Sequence, residues 1–185
     1  NSNIPSTGIS NSGTVQVPLG FLQDVWTLKQ GYTFCKGVGD RYIIEAYFKT
    51  QFNSGRGGLG FATSTPNAST GIGYTPVGLG MTFHGGGAEF ISNGNITYYS
   101  WFATSGDLVQ GNWYRAQFIV DVVGLNTYDL TLNVHESSSS GVVGSLHASI
   151  SQVNVINSNL YSSALTFPYF SNNGYRMTAM DNFHA

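Results

Sequence analysis

GNWYRAQFIVDVVGLNTYDLTLNVHE (111–136) alternates with period two on both sides of one short turn. In its first segment Trp113, Arg115, Gln117, Ile119 and Asp121 fall on one side, with Tyr114, Ala116, Phe118, Val120 and Val122 on the other. In the second, Tyr128, Leu130, Leu132 and Val134 oppose Asp129, Thr131, Asn133 and His135. Successive side chains of a strand point to opposite faces, so each segment has one apolar face. Gly124-Leu125-Asn126 is short enough to join them as a hairpin. Tyr114, Phe118, Val120, Leu130, Leu132 and Val134 are therefore expected to share one core.

The same period runs through the chain, and helical spacing is almost absent. RYIIEAYFKT (41–50) sets Tyr42, Ile44, Ala46 and Phe48 against Ile43, Glu45, Tyr47 and Lys49. Further strands are expected at 14–19, 24–29, 58–64, 78–84, 89–93, 96–103, 142–150 and 175–183, separated by Gly, Asn, Ser and Pro clusters. STPNASTGIGYTP (64–76) reads as a long binding-type loop, SSSSG (137–141) as a turn, and residues 1–13 as a linker or weakly ordered arm. Many short strands in under 200 residues imply an all-β fold, two antiparallel sheets packed as a jelly-roll sandwich over 14–185.

Of 185 residues 41% are hydrophobic and only 9% charged, so the chain can bury a core while its surface is polar and largely uncharged. A net charge of −2 with seven scattered Lys and Arg offers no footprint for a phosphate backbone, which argues against nucleic acid. No apolar run approaches membrane-spanning length, so membrane insertion is not expected. Cys35 is the single cysteine and cannot form an internal disulfide. The chain begins NSNIPSTGIS and reads as a mature or excised domain, with a composition common in extracellular, cell-surface and virion-surface proteins.

Catalytic signatures are missing. Glycosidases need two carboxylates flanking one bond, and no strand carries an acidic pair two residues apart. Glu45, Asp121, Asp129 and Glu136 read as solvated or hydrogen-bonded structural acids. His84, His135, His147 and His184 lack metal-ligand spacing. GVGDRY (37–42) and GGLGFA (57–62) lead into no helix that would hold a phosphate, and no Gly-x-Ser-x-Gly occurs. The chain is expected not to be an enzyme.

What remains is aromatic and amide chemistry. GMTFHGGGAEFISNGNITYYSWF (80–102) combines three glycines and an Asn-Gly turn with seven aromatic or imidazole rings. Alternation puts Tyr98 with Ile96 and Ser100, and Tyr99 with Trp101 and Thr97; which of the two faces is core stays open. A sugar stacks its C–H face on a ring and needs amide, hydroxyl or imidazole partners for its hydroxyls. His84, Asn95, Tyr99 and Trp101 are the candidate ligand residues, at the rim of a shallow groove beside the 64–76 loop. Asn67-Ala68-Ser69 and Asn95-Ile96-Thr97 are also glycosylation sequons.

RYIIEAYFKT followed by GLGFATS, the 111–136 pair, and the closing YRMTAMDNF (175–183) together resemble the concanavalin A-like lectin/glucanase superfamily, especially its laminin-G-like members. The resemblance spans residues 14–183 and implies a curved sandwich whose concave sheet or rim loops bind glycans, in some members beside a structural calcium ion. Asp181 and Asn182 would begin such a metal site, the rival reading being a carboxylate satisfied by loop amides. No other cofactor is indicated. The leading expectation is a non-catalytic domain that binds neutral glycan, or an adhesive domain, of a larger secreted, cell-surface or phage-tail protein. The alternatives are a protein-interaction module that packs on neighbouring subunits, and a hydrolase or polysaccharide lyase of the same fold.

Overall fold

The computed structural model describes residues 23–27, 31–33, 36–50, 56–64, 77–102, 106–173 and 177–184. The arm at 1–13, the strand expected at 14–19, Cys35, and residues 65–76 of the long loop lie outside them, as do the side chains of 23–27, 56, 172–173 and 177–184. In chain order the elements are β1 (Gln23–Thr27), β2 (Arg41–Thr50), β3 (Arg56–Ala62), β4 (Gly78–His84), β5 (Gly87–Ser92), β6 (Asn95–Trp101), β7 (Trp113–Gly124), β8 (Thr127–Ser137), β9 (Val143–Ile156), α1 (Ser158–Ser162), β10 (Phe167–Asn173) and β11 (Met177–His184).

These strands form two antiparallel sheets, one ordered β1-β10-β3-β4-β5-β6 and the other β11-β2-β7-β8-β9. Strands that follow each other in sequence cross between the sheets five times, β1 to β2, β2 to β3, β6 to β7, β9 to β10 and β10 to β11, as a jelly roll requires. The 111–136 hairpin is the inner pair of the five-stranded sheet, and Val120 sits opposite Leu130 and Phe118 opposite Leu132. Tyr114, Phe118, Val120, Leu130, Leu132 and Val134 are all buried in one cluster, as the alternation required. From the facing sheet Leu59, Phe61, Leu79, Met81, Phe83 and Phe90 close that cluster. The polar face of the hairpin points away from it and carries ion pairs, Arg41 with Asp121 at 2.6 Å and Arg115 with Glu45.

Three features depart from the pattern. The last strand of the five-stranded sheet is longer than 142–150, because it continues through a bulge in which Asn154 adopts φ 57° and its N–H donates to the Asp129 carboxylate. β10 was not expected at all, and α1, capped by the Asn157 side chain on Leu160 N–H, is too short to give a periodic signal. The third departure is a bulge in β6: Phe90 pairs with Tyr98 but Ile91 pairs with Ile96, leaving Thr97 over. Thr97 Oγ1 donates to the Phe90 carbonyl at 3.2 Å and to Gln152 of β9 at 2.8 Å. The extra residue shifts the alternation, so Ile96 joins the face of Tyr99 and Trp101 and not that of Tyr98.

Two tyrosines give the fold an alkaline limit. Burial pushes the Tyr128 hydroxyl up to about 12, and burial pushes that of Tyr169 above the usual tyrosine range. An unfolded tyrosine loses its proton near pH ~10. Above that pH the unfolded chain therefore binds fewer protons than the folded one, and stability falls as pH rises from ~10 towards 12. Denaturant melts at pH 8, 10 and 11 should show a flat ΔG followed by a decline, with a shallower decline in Tyr169→Phe.

Candidate functional site

The face of the six-stranded sheet that turns away from the core is laid out in rows by the register. One row runs Tyr169, Gly60, Gly80, Ile91, Ile96; the next Ser171, Gly58, Thr82, Glu89, Tyr99; the third His84, Gly87, Trp101. Glycine occupies four of these positions, and the structure shows what each accommodates.

Gly87 separates His84 from Trp101. Strands two apart put their backbones about 10 Å from each other, yet the two rings meet over the glycine at 5.7 Å between centroids, edge to face. Tyr99 stacks on His84 at 5.8 Å and 15°, and meets Trp101 edge to face at 5.0 Å. The three rings thus brace one another. His84 Nδ1 accepts the Gly86 N–H at 3.2 Å, which fixes the ring and leaves the proton of the neutral imidazole on Nε2. Trp101, on the edge strand β6, keeps 63% of its surface in solvent.

A carboxylate adjoins this corner. A side chain on Gly86 would lie 2.8 Å from Asp107 Oδ1 and 3.1 Å from the Trp101 six-membered ring, so Asp107 and the indole flank the same point. Leu108 N–H donates to the Gly85 carbonyl and Phe102 N–H to that of Gly86, which ties the segment carrying Asp107 to the β4–β5 turn. The three consecutive glycines therefore let the backbone turn tightly, admit the neighbouring segment, and allow two rings to touch. Asp107 lies in a stretch without apolar period, and no sequence signal placed it here.

Of the expected ligand residues, His84, Tyr99 and Trp101 come together and Asn95 does not. Asn95 starts β6, pairs with Ser92, and its side chain donates to the Asn93 carbonyl at 3.3 Å. Six residues of strand put it roughly 20 Å from Trp101. The cause is the Asn93-Gly94 turn, both residues at positive φ (50° and 81°), which places Asn95 at the opposite end of the hairpin from His84.

The acids read as structural have structural partners. Glu45 accepts from Arg115 and Gln117, Asp121 from Arg41, Asp129 from the Asn154 N–H, and Glu136 from Ser145. All four lie on the five-stranded sheet. Glu89 was not singled out by the sequence and is the one carboxylate on β3–β6; it is 5% exposed and accepts from Thr82 Oγ1 at 3.0 Å. Its place on one face with Gly87 and Ile91 in GAEFIS (87–92) was the available signal.

No group of three His, Cys, Asp or Glu side chains among the described residues could hold a metal ion. The side chains of Asp181 and Asn182, on which the calcium expectation rests, lie outside the described residues.

No family model matches the sequence, and no curated protein matches it significantly. Solved structures do match by shape. The metal-free carbohydrate recognition domain of Emp46p superposes with a TM-score of 0.55 at 11% identity, covering 91% of this chain and 80% of that one. Its potassium-bound form gives a TM-score of 0.50 at 12% identity over 85% and 76%. An endo-β-1,4-glucuronan lyase from the fungus Trichoderma reesei covers 98% of this chain and 87% of its own at 11% identity, with a TM-score of 0.44 that carries no inference. Sheet order, register and the superpositions on the Emp46p domain agree that the chain has the concanavalin A-like jelly-roll fold.

Proposed function

We propose that the corner formed by His84, Tyr99, Trp101 and Asp107 binds neutral saccharide, and that the chain is a non-catalytic recognition domain of a larger surface or secreted protein. The observation that carries this reading is the indole of Trp101, 63% exposed yet held in place by two other rings. An exposed ring without a partner costs solvation and side-chain freedom; one that is braced loses little further entropy when a ligand stacks on it. Asp107 supplies acceptors and His84 a ring nitrogen for the hydroxyls that flank the stacked sugar face. The carbohydrate recognition domain that shares the fold supports the ligand class.

The experiment is calorimetric titration with a panel of neutral oligosaccharides. Trp101→Ala should weaken binding roughly tenfold, about 1–2 kcal/mol, with the thermal midpoint unchanged, because the lost ring contributes contact and almost no core. A variant that unfolds, or one that binds as tightly as the parent, would place recognition elsewhere. An enzymatic reading would be revived by release of reducing ends or unsaturated products that disappears in Glu89→Gln.

A further inference from the structure

We infer that this site recognises a short saccharide, the terminal one or two rings of a glycan, and does not seat the interior of a polysaccharide chain; the inference rests on the saccharide-binding reading above. A polymer laid across the sheet needs a trough, and the glycines at 58, 60 and 80 look like the floor of one. They are not open to ligand. A side chain at Gly80 would fall 2.1 Å from the Tyr169 hydroxyl, one at Gly60 2.6 Å from the Tyr169 ring, and one at Gly58 2.5 Å from Ser171 Oγ.

Tyr169 thus lies flat across β3 and β4, and the glycines exist to receive it. Tyr169, Ser171, Thr82, Glu89 and Ile91 are each no more than 5% exposed, so the two rows behind the ring corner present nothing to which a second or third sugar could bond. Among the described residues of β3 to β6 and β10, the accessible side chains on this face are His84 at the end of β4 and those of β6. There Trp101 and Tyr99 are followed by Ile96, an aliphatic residue with no hydrogen-bonding group for a sugar hydroxyl. Each further unit of a bound chain requires its own stacking or hydrogen-bonding partner, and beyond this corner the described residues of the face supply none.

The test is titration with homologous neutral oligosaccharides of one to six units, in the parent chain and in Trp101→Ala. The expected result is an affinity that rises to the disaccharide and then stays within twofold through the hexasaccharide, with every length weakened in Trp101→Ala. Affinity that climbs tenfold or more between two and six units, still sensitive to Trp101→Ala, would overturn the short-ligand inference while leaving the site in place. Binding at any length that ignores Trp101→Ala, or no binding at all, would overturn the site itself.

Discussion

Phe118→Ala lowers the free energy of unfolding by about 3–5 kcal/mol. Phe118 is fully buried in the middle strand of the five-stranded sheet, between Ile44 of β2 and Leu132 of β8. Its ring approaches Phe90 at 6.2 Å and Phe61 at 6.5 Å, both from the opposing sheet, so one side chain bridges the two layers. Truncation removes the transfer energy of the ring and leaves a cavity whose walls are strands, which relax less readily than loops. The neighbouring Ile119→Ala, on the outer face, should cost less than about 1 kcal/mol in the same urea titration. Equal losses at the two positions would mean that the alternation has been assigned to the wrong faces.

The contrast between those two residues shows why this half of the fold was legible. Between Tyr114 and Val134 each local choice agrees with the next, and a slip of one residue would put every apolar side chain in water. β10 was not legible because Pro168 interrupts Phe167–Phe170, and proline is normally excluded from inner strands. Among the described residues the β1 ladder reaches Tyr169, paired with Thr27, and none stands opposite Pro168 on that side to take an N–H. The ring corner was half legible. His84, Tyr99 and Trp101 lie within one segment whose glycines mark a close approach, whereas Asp107 arrives through backbone hydrogen bonds to Gly85 that no pattern encodes. Asn95 was misplaced for a related reason, since a two-residue turn fixes which end of a hairpin a residue occupies and alternation alone does not.

Gly80→Ala is the second substitution with a large expected cost, and its partner is equally specific. The new methyl would sit 2.1 Å from the Tyr169 hydroxyl but 3.2 Å from the ring carbon that bears it and 3.2 Å from the Leu59 carbonyl. The hydroxyl is therefore the main obstacle. Tyr169 is buried and pinned between strands, so it cannot yield, and overpacking of this kind costs roughly 2–3 kcal/mol. Tyr169 Oη finds no hydrogen-bond partner among the described residues, so Tyr169→Phe alone should be neutral or slightly stabilising. In the double variant the clash is relieved, and the cycle should return a favourable coupling of about 1–2 kcal/mol. Gly78→Ala provides the control: its φ is +146° and its methyl would lie 2.0 Å from the Phe61 carbonyl, an obstacle that Tyr169→Phe does not touch. Rescue of Gly80→Ala but not of Gly78→Ala, read from urea midpoints, would establish that Tyr169 fills the glycine floor. Equal rescue of both, or of neither, would mean that the ring lies elsewhere and that the face behind Trp101 is open to a longer ligand.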